Sequence, residues 1–257
     1  MPLSASDVAI LFASAVGAGG MNALAGGGTV LTFPTLLLLG IPAISANATS
    51  TVALLPGAAA SFAGYRREVA THRHWLPTLL VPSLLGGACG STLLLLTPER
   101  IFARLAPWLV LFATLLFAAQ WLRSTRGATA ETTLAPPDRA PGWAWLGQFA
   151  IAVYGGYFGA GIGILMLVVL GAFGLRDIHA MNGLKNFFGF CINGVAAAIF
   201  VVSGRVAWIP ASIMIAGAIA GGFAGAHFGR YLGQRRVRLA VILIGILLAS
   251  LLFLRRN

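Results

Sequence analysis

A single lysine stands inside an apolar stretch that resembles a membrane helix. Between Ala180 and Val202, Lys185 is the only charged side chain, and Asn182 and Asn186 flank it. A charge at the centre of a membrane helix costs about 2.5–3.5 kcal/mol on insertion scales, so it is seldom kept without a function. We expect Lys185 to face the protein interior and to attract an anion, because an ammonium group offers three donors to sulfonyl, phosphoryl or carboxylate oxygens.

Two polar stripes share the spacing i, i+3, i+4 and lie about 135 positions apart in the chain. Their members are Asn47, Thr49, Ser50 and Thr51 in the first, and Asn182, Lys185, Asn186 and Asn193 in the second. Polar residues on one face of a membrane helix either hydrogen-bond to other helices or contact a ligand. The asparagines alone leave both interpretations open, whereas Lys185 favours ligand contacts. The pairing predicts two half-sites that meet, as in many transporters.

Glycine clusters lie next to the two shortest apolar segments. The first is Gly26, Gly27 and Gly28, and the second comprises Gly155, Gly156, Gly159, Gly161 and Gly163. Glycine lets the backbone leave helical geometry, and a broken helix exposes N–H groups that favour an anion. We therefore predict helix breaks at Gly26 to Gly28 and at Gly161 and Gly163, with Thr29 as the cap of the next half-helix.

Close packing of helices through small residues is the alternative explanation for glycines in membrane segments. It suits the glycines at small-residue spacing elsewhere in the chain, which include Gly86, Gly87, Gly90, Gly217, Gly221 and Gly222.

The composition is that of a multi-pass α-helical membrane protein. Of the 257 residues, 58% are hydrophobic and 9% are charged, with a mean hydropathy of +0.90. The net charge of +11 comes from arginines in short loops, including a basic loop at 66–74, so the positive-inside rule explains it better than nucleic-acid binding. The start of the chain lacks the basic region of a cleaved signal peptide, so the first apolar segment is expected to remain.

Neither an enzyme nor a bound cofactor is predicted. HExxH, GxSxG and Walker motifs are absent from the sequence. Cys89 and Cys191 lie in apolar segments, where we expect buried small side chains and neither a disulfide nor a metal site.

The chain divides into two related halves. Ten apolar segments are expected near 8–24, 29–40, 43–65, 76–96, 103–122, 143–158, 160–174, 179–203, 207–227 and 237–254. Short sequence matches such as Trp75-Leu-Pro77 with Trp208-Ile-Pro210 recur at offsets of 133 to 136, which indicates a duplication. We predict a first repeat at 1–122, a polar linker at 123–142 and a second repeat at 143–257.

Arginine counts favour an inverted repeat over a parallel one. Five elements per half place eleven arginines on one side of the membrane and five on the other, whereas four spans per half give nine and seven. The stronger asymmetry fits the positive-inside rule. The predicted fold is therefore an all-α integral membrane protein with two homologous helical halves, an inverted repeat with glycine-broken helices, and both termini outside the cytoplasm.

The segment from Gly26 to Pro34, followed by Gly40-Ile-Pro42 and Ala46 to Thr51, resembles the sulfite exporter TauE/SafE family. The stretch from Asn182 to Asn186 resembles the matching motif of the second half. The resemblance implies a multi-pass permease of the bacterial inner membrane, in most members an exporter of sulfite or organosulfonates. By motif match it implies a substrate-binding set of Asn47, Thr49, Ser50, Asn182, Lys185 and Asn186.

The leading hypothesis is export of a small sulfur oxyanion, sulfite or a short organosulfonate. Because the apolar segments contain no Asp or Glu beyond the terminal Asp7, the membrane potential alone is expected to drive export. The alternatives are an anion channel, ion-coupled uptake of a sulfur-containing or carboxylate anion, and a membrane enzyme or accessory subunit. The predicted partners are the small anion and the lipid bilayer, not nucleic acid, and the sequence is compatible with a homodimer.

Overall fold

A computed structural model describes residues 3–24, 27–71, 73–125, 141–175, 177–232 and 234–254. These ranges form helices and connecting turns, and no strand occurs within them. The helices are α1 (Ala5–Leu24), α2 (Thr29–Leu38), α3 (Ala43–Gly64), α4 (Arg66–Thr71), a 3-10 turn (Arg73–Trp75), α5 (Leu76–Leu96), α6 (Glu99–Thr125), α7 (Ala144–Tyr157), α8 (Ile162–Ala172), α9 (Ile178–Val202), α10 (Trp208–Leu232) and α11 (Gln234–Leu254).

Each predicted apolar segment is a helix in the structure. The segments 43–65 and 76–96 match α3 and α5 to within one residue. Helix α6 is longer than the predicted segment 103–122, because it already begins at Glu99. Hydropathy marks the part of a helix that lies in hydrocarbon, whereas the helix itself continues into the polar interface. The basic region at 66–74 was expected to be a loop, but it contains α4 and the start of the 3-10 turn.

Three of the described helical segments are long and apolar enough to cross a membrane. They are Arg73–Leu96, Glu99–Gln120 and His179–Val202. Large apolar side chains cover the outside of the bundle, and Leu96, Val202 and Phe223 are among the most exposed of them. An apolar exterior of this kind fits a lipid environment.

The tightest helix contacts run between the two halves, and glycines make them. α1 packs along α10, and α5 packs along α7. A Cβ atom on Gly221 would lie 1.9 Å from the carbonyl oxygen of Val16, and one on Gly90 would lie 2.0 Å from that of Val153. Only glycine allows backbones to approach so closely, so the predicted small-residue packing is confirmed at these positions.

Helix α3 lies antiparallel to α9 at the centre of the bundle. Phe62, near the end of α3, has its ring centroid 5.2 Å from that of Phe187, in the first half of α9. At the other end, the hydroxyl oxygen of Thr49 accepts a hydrogen bond from the amide of Ala207, beyond the last residue of α9.

Helices α6 and α11 are also antiparallel. Trp108, early in α6, contacts Phe253 near the end of α11, with 5.0 Å between ring centroids. Further along α6, Thr114 packs against Gly245, where an added Cβ atom would lie 2.6 Å from the Thr114 hydroxyl oxygen.

Short helices follow both glycine clusters. Gly27 has φ +90° and separates α1 from the ten-residue α2. Gly161 has φ +78° and stands at the start of the eleven-residue α8, after α7 ends at Tyr157. Glycine adopts positive φ without the steric cost that other residues meet. Gly26 lies outside the described residues. Gly163, where a break was also predicted, lies inside α8 and has no positive φ, so the break was wrongly placed at that residue.

The prediction that Thr29 caps α2 was wrong. The N-cap position is Gly28, which has no side chain to accept a hydrogen bond. Asn22, at the end of α1, supplies the acceptor instead, because its Oδ1 accepts the N–H of Gly28 at 2.7 Å. A side chain at the end of α1 therefore bonds to the backbone at the start of α2.

Candidate functional site

A small cavity at the centre of the molecule contains the buried lysine. It has a volume of about 80 Å³ and lies between α1, α3, α8 and α9. Lys185 and Asn186 line it, together with Gly163 at the start of α8. Gly27, from the first glycine cluster, also lines this cavity. Residues from both halves of the chain therefore line one cavity, but of the two predicted half-sites only the second contributes to it.

Two contacts hold the side chain of Lys185 in this cavity. The residue is 9% exposed, and its Nζ donates a hydrogen bond to Oδ1 of Asn182 at 3.0 Å, one turn earlier on α9. Its aliphatic stem lies against Gly163, where an added Cβ atom would be 3.3 Å from Cδ of Lys185. The absence of a side chain at Gly163 thus leaves the space in which the lysine stem runs.

Asn22 and Asn193 belong to the site, although the substrate-binding set implied by the motif match contains neither. They line the Lys185 cavity and also a second, adjoining cavity of about 60 Å³, to which Thr29, Thr51 and Gly159 contribute. Asn193 lies on the polar stripe of α9, so periodicity indicated it. For Asn22, the only signal was an amide inside an otherwise apolar helix, close to a glycine cluster.

Three of the four residues in the first polar stripe connect helices and line neither cavity. Asn47 donates from Nδ2 to the carbonyl of Tyr157 at 3.2 Å, and the hydroxyls of Ser50 and Thr32 are 2.6 Å apart. The hydroxyl oxygen of Thr49 accepts a hydrogen bond from the amide of Ala207, the residue before α10. All three stripe residues are at most 1% exposed. Of this stripe only Thr51 reaches a cavity, and contact of Asn47, Thr49 and Ser50 with substrate stays a prediction.

A carboxylate that hydropathy placed outside the spans fixes the start of α3. Glu99, the first residue of α6, accepts hydrogen bonds from the backbone N–H groups of Ala43 and Ile44, the latter at 3.3 Å from Oε2. α3 has no side-chain cap of its own, since Pro42 is its N-cap. A negative charge at a helix N-terminus is stabilising. Glu99 therefore anchors the helix that carries the first polar stripe.

The cysteines take no part in the site. Cys191 is half-buried, whereas Cys89 is exposed on α5, so the prediction that both are buried was wrong for Cys89. A free cysteine behaves as a small hydrophobic side chain, so an outward-facing position is compatible with contact to lipid.

A bundle of apolar helices around a small polar cavity is the construction of a membrane transporter. The family described as "Sulfite exporter TauE/SafE" matches residues 11–252, and the chain belongs to this family.

Named relatives agree with this class. The chain is 28% identical over 228 residues to a "Probable membrane transporter protein" of Haemophilus influenzae, which covers 85% of the chain and 84% of that protein. It is also 28% identical over 210 residues to a "Probable membrane transporter protein ORF9" of Sinorhizobium sp, covering 78% of the chain and 75% of that protein. No solved structure matches the chain.

Proposed function

We propose that this transporter exports a small sulfur oxyanion, sulfite or a short organosulfonate, across the bacterial inner membrane. The observation that carries the proposal is that Lys185 lines a cavity together with three asparagines, Asn22, Asn186 and Asn193, and with no carboxylate among the described lining residues. Family membership supports the substrate class, and the named relatives support transport.

The electrostatics of the cavity favour an anion. Lys185 contributes donors with a full positive charge, and among the described lining residues none carries a carboxylate. The N-terminal ends of α2 and α8 also point here, since Thr29 and Ile162 line the adjoining cavity. Helix N-termini attract anions through free N–H groups and the helix dipole. Lys185 would neutralise the anion, and Asn186 would hydrogen-bond to its oxygens.

An inverted repeat is the scaffold that we propose for this site. The duplication pairs α3 with α9 and α6 with α11, and both pairs run antiparallel in contact with each other. Equivalent helices related by an axis in the membrane plane run in opposite directions, whereas an axis along the membrane normal makes them parallel. The duplication also pairs α1 with α7 and α10 with α5, so the contact between α1 and α10 corresponds to the contact between α7 and α5. The breaks at Gly27 and Gly161 would then be equivalent hinges on either side of the site.

Export of an anion needs no proton relay in this scheme. Moving one negative charge out of a cell releases about 2.3 kcal/mol for every 100 mV of inside-negative potential. Because no carboxylate lines the described cavity, the potential itself is the driving force that the site supports.

Purified protein in liposomes tests the proposal directly. Sulfite loaded inside should leave faster when a potassium gradient with valinomycin makes the interior negative. Lys185→Ala should reduce efflux to the rate of protein-free liposomes, whereas Arg205→Ala, which removes an exposed cation elsewhere, should not. Efflux that is equal in wild type and Lys185→Ala would exclude the assigned role. Single-channel currents with a flux that does not saturate would identify a channel instead.

Ion-coupled uptake is a second candidate because one buried acceptor lacks a partner. Oδ1 of Asn47 has no hydrogen-bond partner among the described residues, although the side chain is 1% exposed. A buried acceptor of this kind is costly unless something satisfies it, and a coupling cation is one solution. Uptake at clamped voltage that requires Na⁺ or a proton gradient, and that Asn47→Ala uncouples, would favour this candidate over export.

A further inference from the structure

The orientation of two asparagine amides in the site is determined by their backbone partners. Asn193 lies 2.8 Å from the carbonyl oxygen of Gly189, which can only accept a hydrogen bond, so the atom that contacts it is the amide nitrogen. Asn22 contacts the N–H of Gly28, which can only donate, so the contacting atom is the amide oxygen. Neither amide can be turned round without losing its backbone bond.

These bonds decide which atom each amide offers to the cavity. Asn193 is left with Oδ1, which accepts hydrogen bonds, and Asn22 is left with Nδ2, which donates them. Oδ1 of Asn193 points towards Gly159, because a Cβ atom there would lie 3.5 Å from it. Gly159 lines the second cavity, so the acceptor faces the junction of the two cavities.

The site is therefore polarised along its length. Lys185 supplies donors and positive charge at one end, and it lines only the first cavity. Asn193 presents an acceptor at the junction that both cavities share. An anionic oxygen suits the Lys185 end, whereas the space directly beside Oδ1 of Asn193 suits an O–H or N–H group.

The cavity sizes limit what can occupy this arrangement. The volumes are about 80 Å³ and 60 Å³, above the roughly 10–15 Å³ that one water needs on the same measure, so each cavity has room for a small group. An oxyanion head fits the first cavity, and a short substituent fits the second.

We infer that, among the anions of the proposed function, the preferred one is an organosulfonate that carries a hydroxyl or ammonium group within a few bonds of its anionic head, and that Oδ1 of Asn193 accepts a hydrogen bond from that group. The inference rests on the proposed function, since it assumes that the head lies beside Lys185. A site built to hydrogen-bond a donor discriminates strongly against an analogue without one, because its own polar atom is then left unpaired.

A pair of sulfonates with equal numbers of non-hydrogen atoms tests this inference. 2-Hydroxyethanesulfonate has a donor where propane-1-sulfonate has a methyl group, and isothermal titration of the purified full chain measures both dissociation constants. We expect wild type to bind the hydroxyl compound at least about tenfold more tightly. Asn193→Leu should abolish the difference while propane-1-sulfonate still binds.

Thr114→Val is the matched control variant. Like Asn193, Thr114 is a polar side chain that donates to the carbonyl four residues earlier, here that of Val110 at 2.8 Å, but it lies outside both cavities. It should keep the full preference for the hydroxyl compound.

The outcomes separate the inference from the function on which it rests. Equal affinities of wild type for the two sulfonates, or no binding of either, would overturn the inference. A preference that survives in Asn193→Leu would also overturn it. The proposed function is judged separately by sulfite binding in wild type and Lys185→Ala: loss of sulfite binding in that variant supports the anion site even where the sulfonate pair shows no difference.

Discussion

Replacing Gly163 by alanine should weaken anion binding without weakening the fold. Gly163 lies in the first turn of α8 and lacks a positive φ, so alanine fits its backbone. Alanine in a helix is more stable than glycine by about 0.5–1 kcal/mol. The three heavy atoms nearest to the added methyl group all belong to the stem of Lys185, and the closest is Cδ at 3.3 Å.

The size of the effect follows from this contact. Carbon atoms prefer separations of about 3.5–4.0 Å, so Cδ must move by roughly 0.2–0.7 Å. A similar shift of Nζ stretches its 3.0 Å bond to Asn182 to or beyond the limit of about 3.2 Å for an ordinary hydrogen bond. Hydrogen bonds to charged groups contribute about 1.5–3 kcal/mol, and partial loss of one is about 1 kcal/mol. The dissociation constant for sulfite should therefore rise roughly fivefold.

Titration calorimetry and thermal unfolding of the purified variant measure the two quantities. Gly189→Ala is the matched control, because Gly189 lines the same cavity in α9 but an added Cβ atom there meets nothing within 4 Å. It should gain stability and keep its affinity. Equal affinities of Gly163→Ala and Gly189→Ala would refute the idea that the lysine stem is positioned by the space above Gly163.

Four further substitutions test contacts outside the two cavities. Gly90→Ala should push α5 away from the backbone of α7 and cost about 1–3 kcal/mol or more, seen as a lower melting temperature than for the exposed control Cys89→Ala. Glu99→Gln should lower stability by about 1 kcal/mol through loss of charge at the start of α3, and an unchanged melting curve would argue against that anchor. Thr32→Val and Ser50→Ala should each destabilise by about 1–3 kcal/mol and together by less than the sum, with unchanged sulfite affinity; lost affinity at full stability would instead make Ser50 a substrate contact.

The helices were predictable because lipid imposes a length and an apolar composition on each of them. The buried position of Lys185 was predictable for the same reason, since a charge in an apolar run must find a polar interior. Gly27 and Gly163 both line the Lys185 cavity, whereas an anion-binding role for the two glycine clusters stays a prediction.

Partner choice was not predictable from one sequence. Asn47 and Asn182 occupy equivalent places in the two stripes, yet one bonds to the backbone of Tyr157 and the other to Lys185. Periodicity places a side chain on a face of a helix, but it does not say which distant segment packs against that face. Asn22 was overlooked because its role depends on the N–H of Gly28 at the start of α2, and the sequence does not show which side chain accepts that N–H.

The interlocked helix pairs have a consequence for how the protein is made. α1 packs against α10, whose Gly221 is about 200 residues further along the chain. At about 5–20 residues per second, α1 waits roughly 10–40 s in the membrane before its partner is synthesised. During that interval its small-residue face is uncovered and can pair with the wrong helix, so a first half made alone should assemble poorly. Two separately encoded halves produced in the same membrane should instead restore the transporter. α10 and α7 of the second half would then pack against α1 and α5 of the first half.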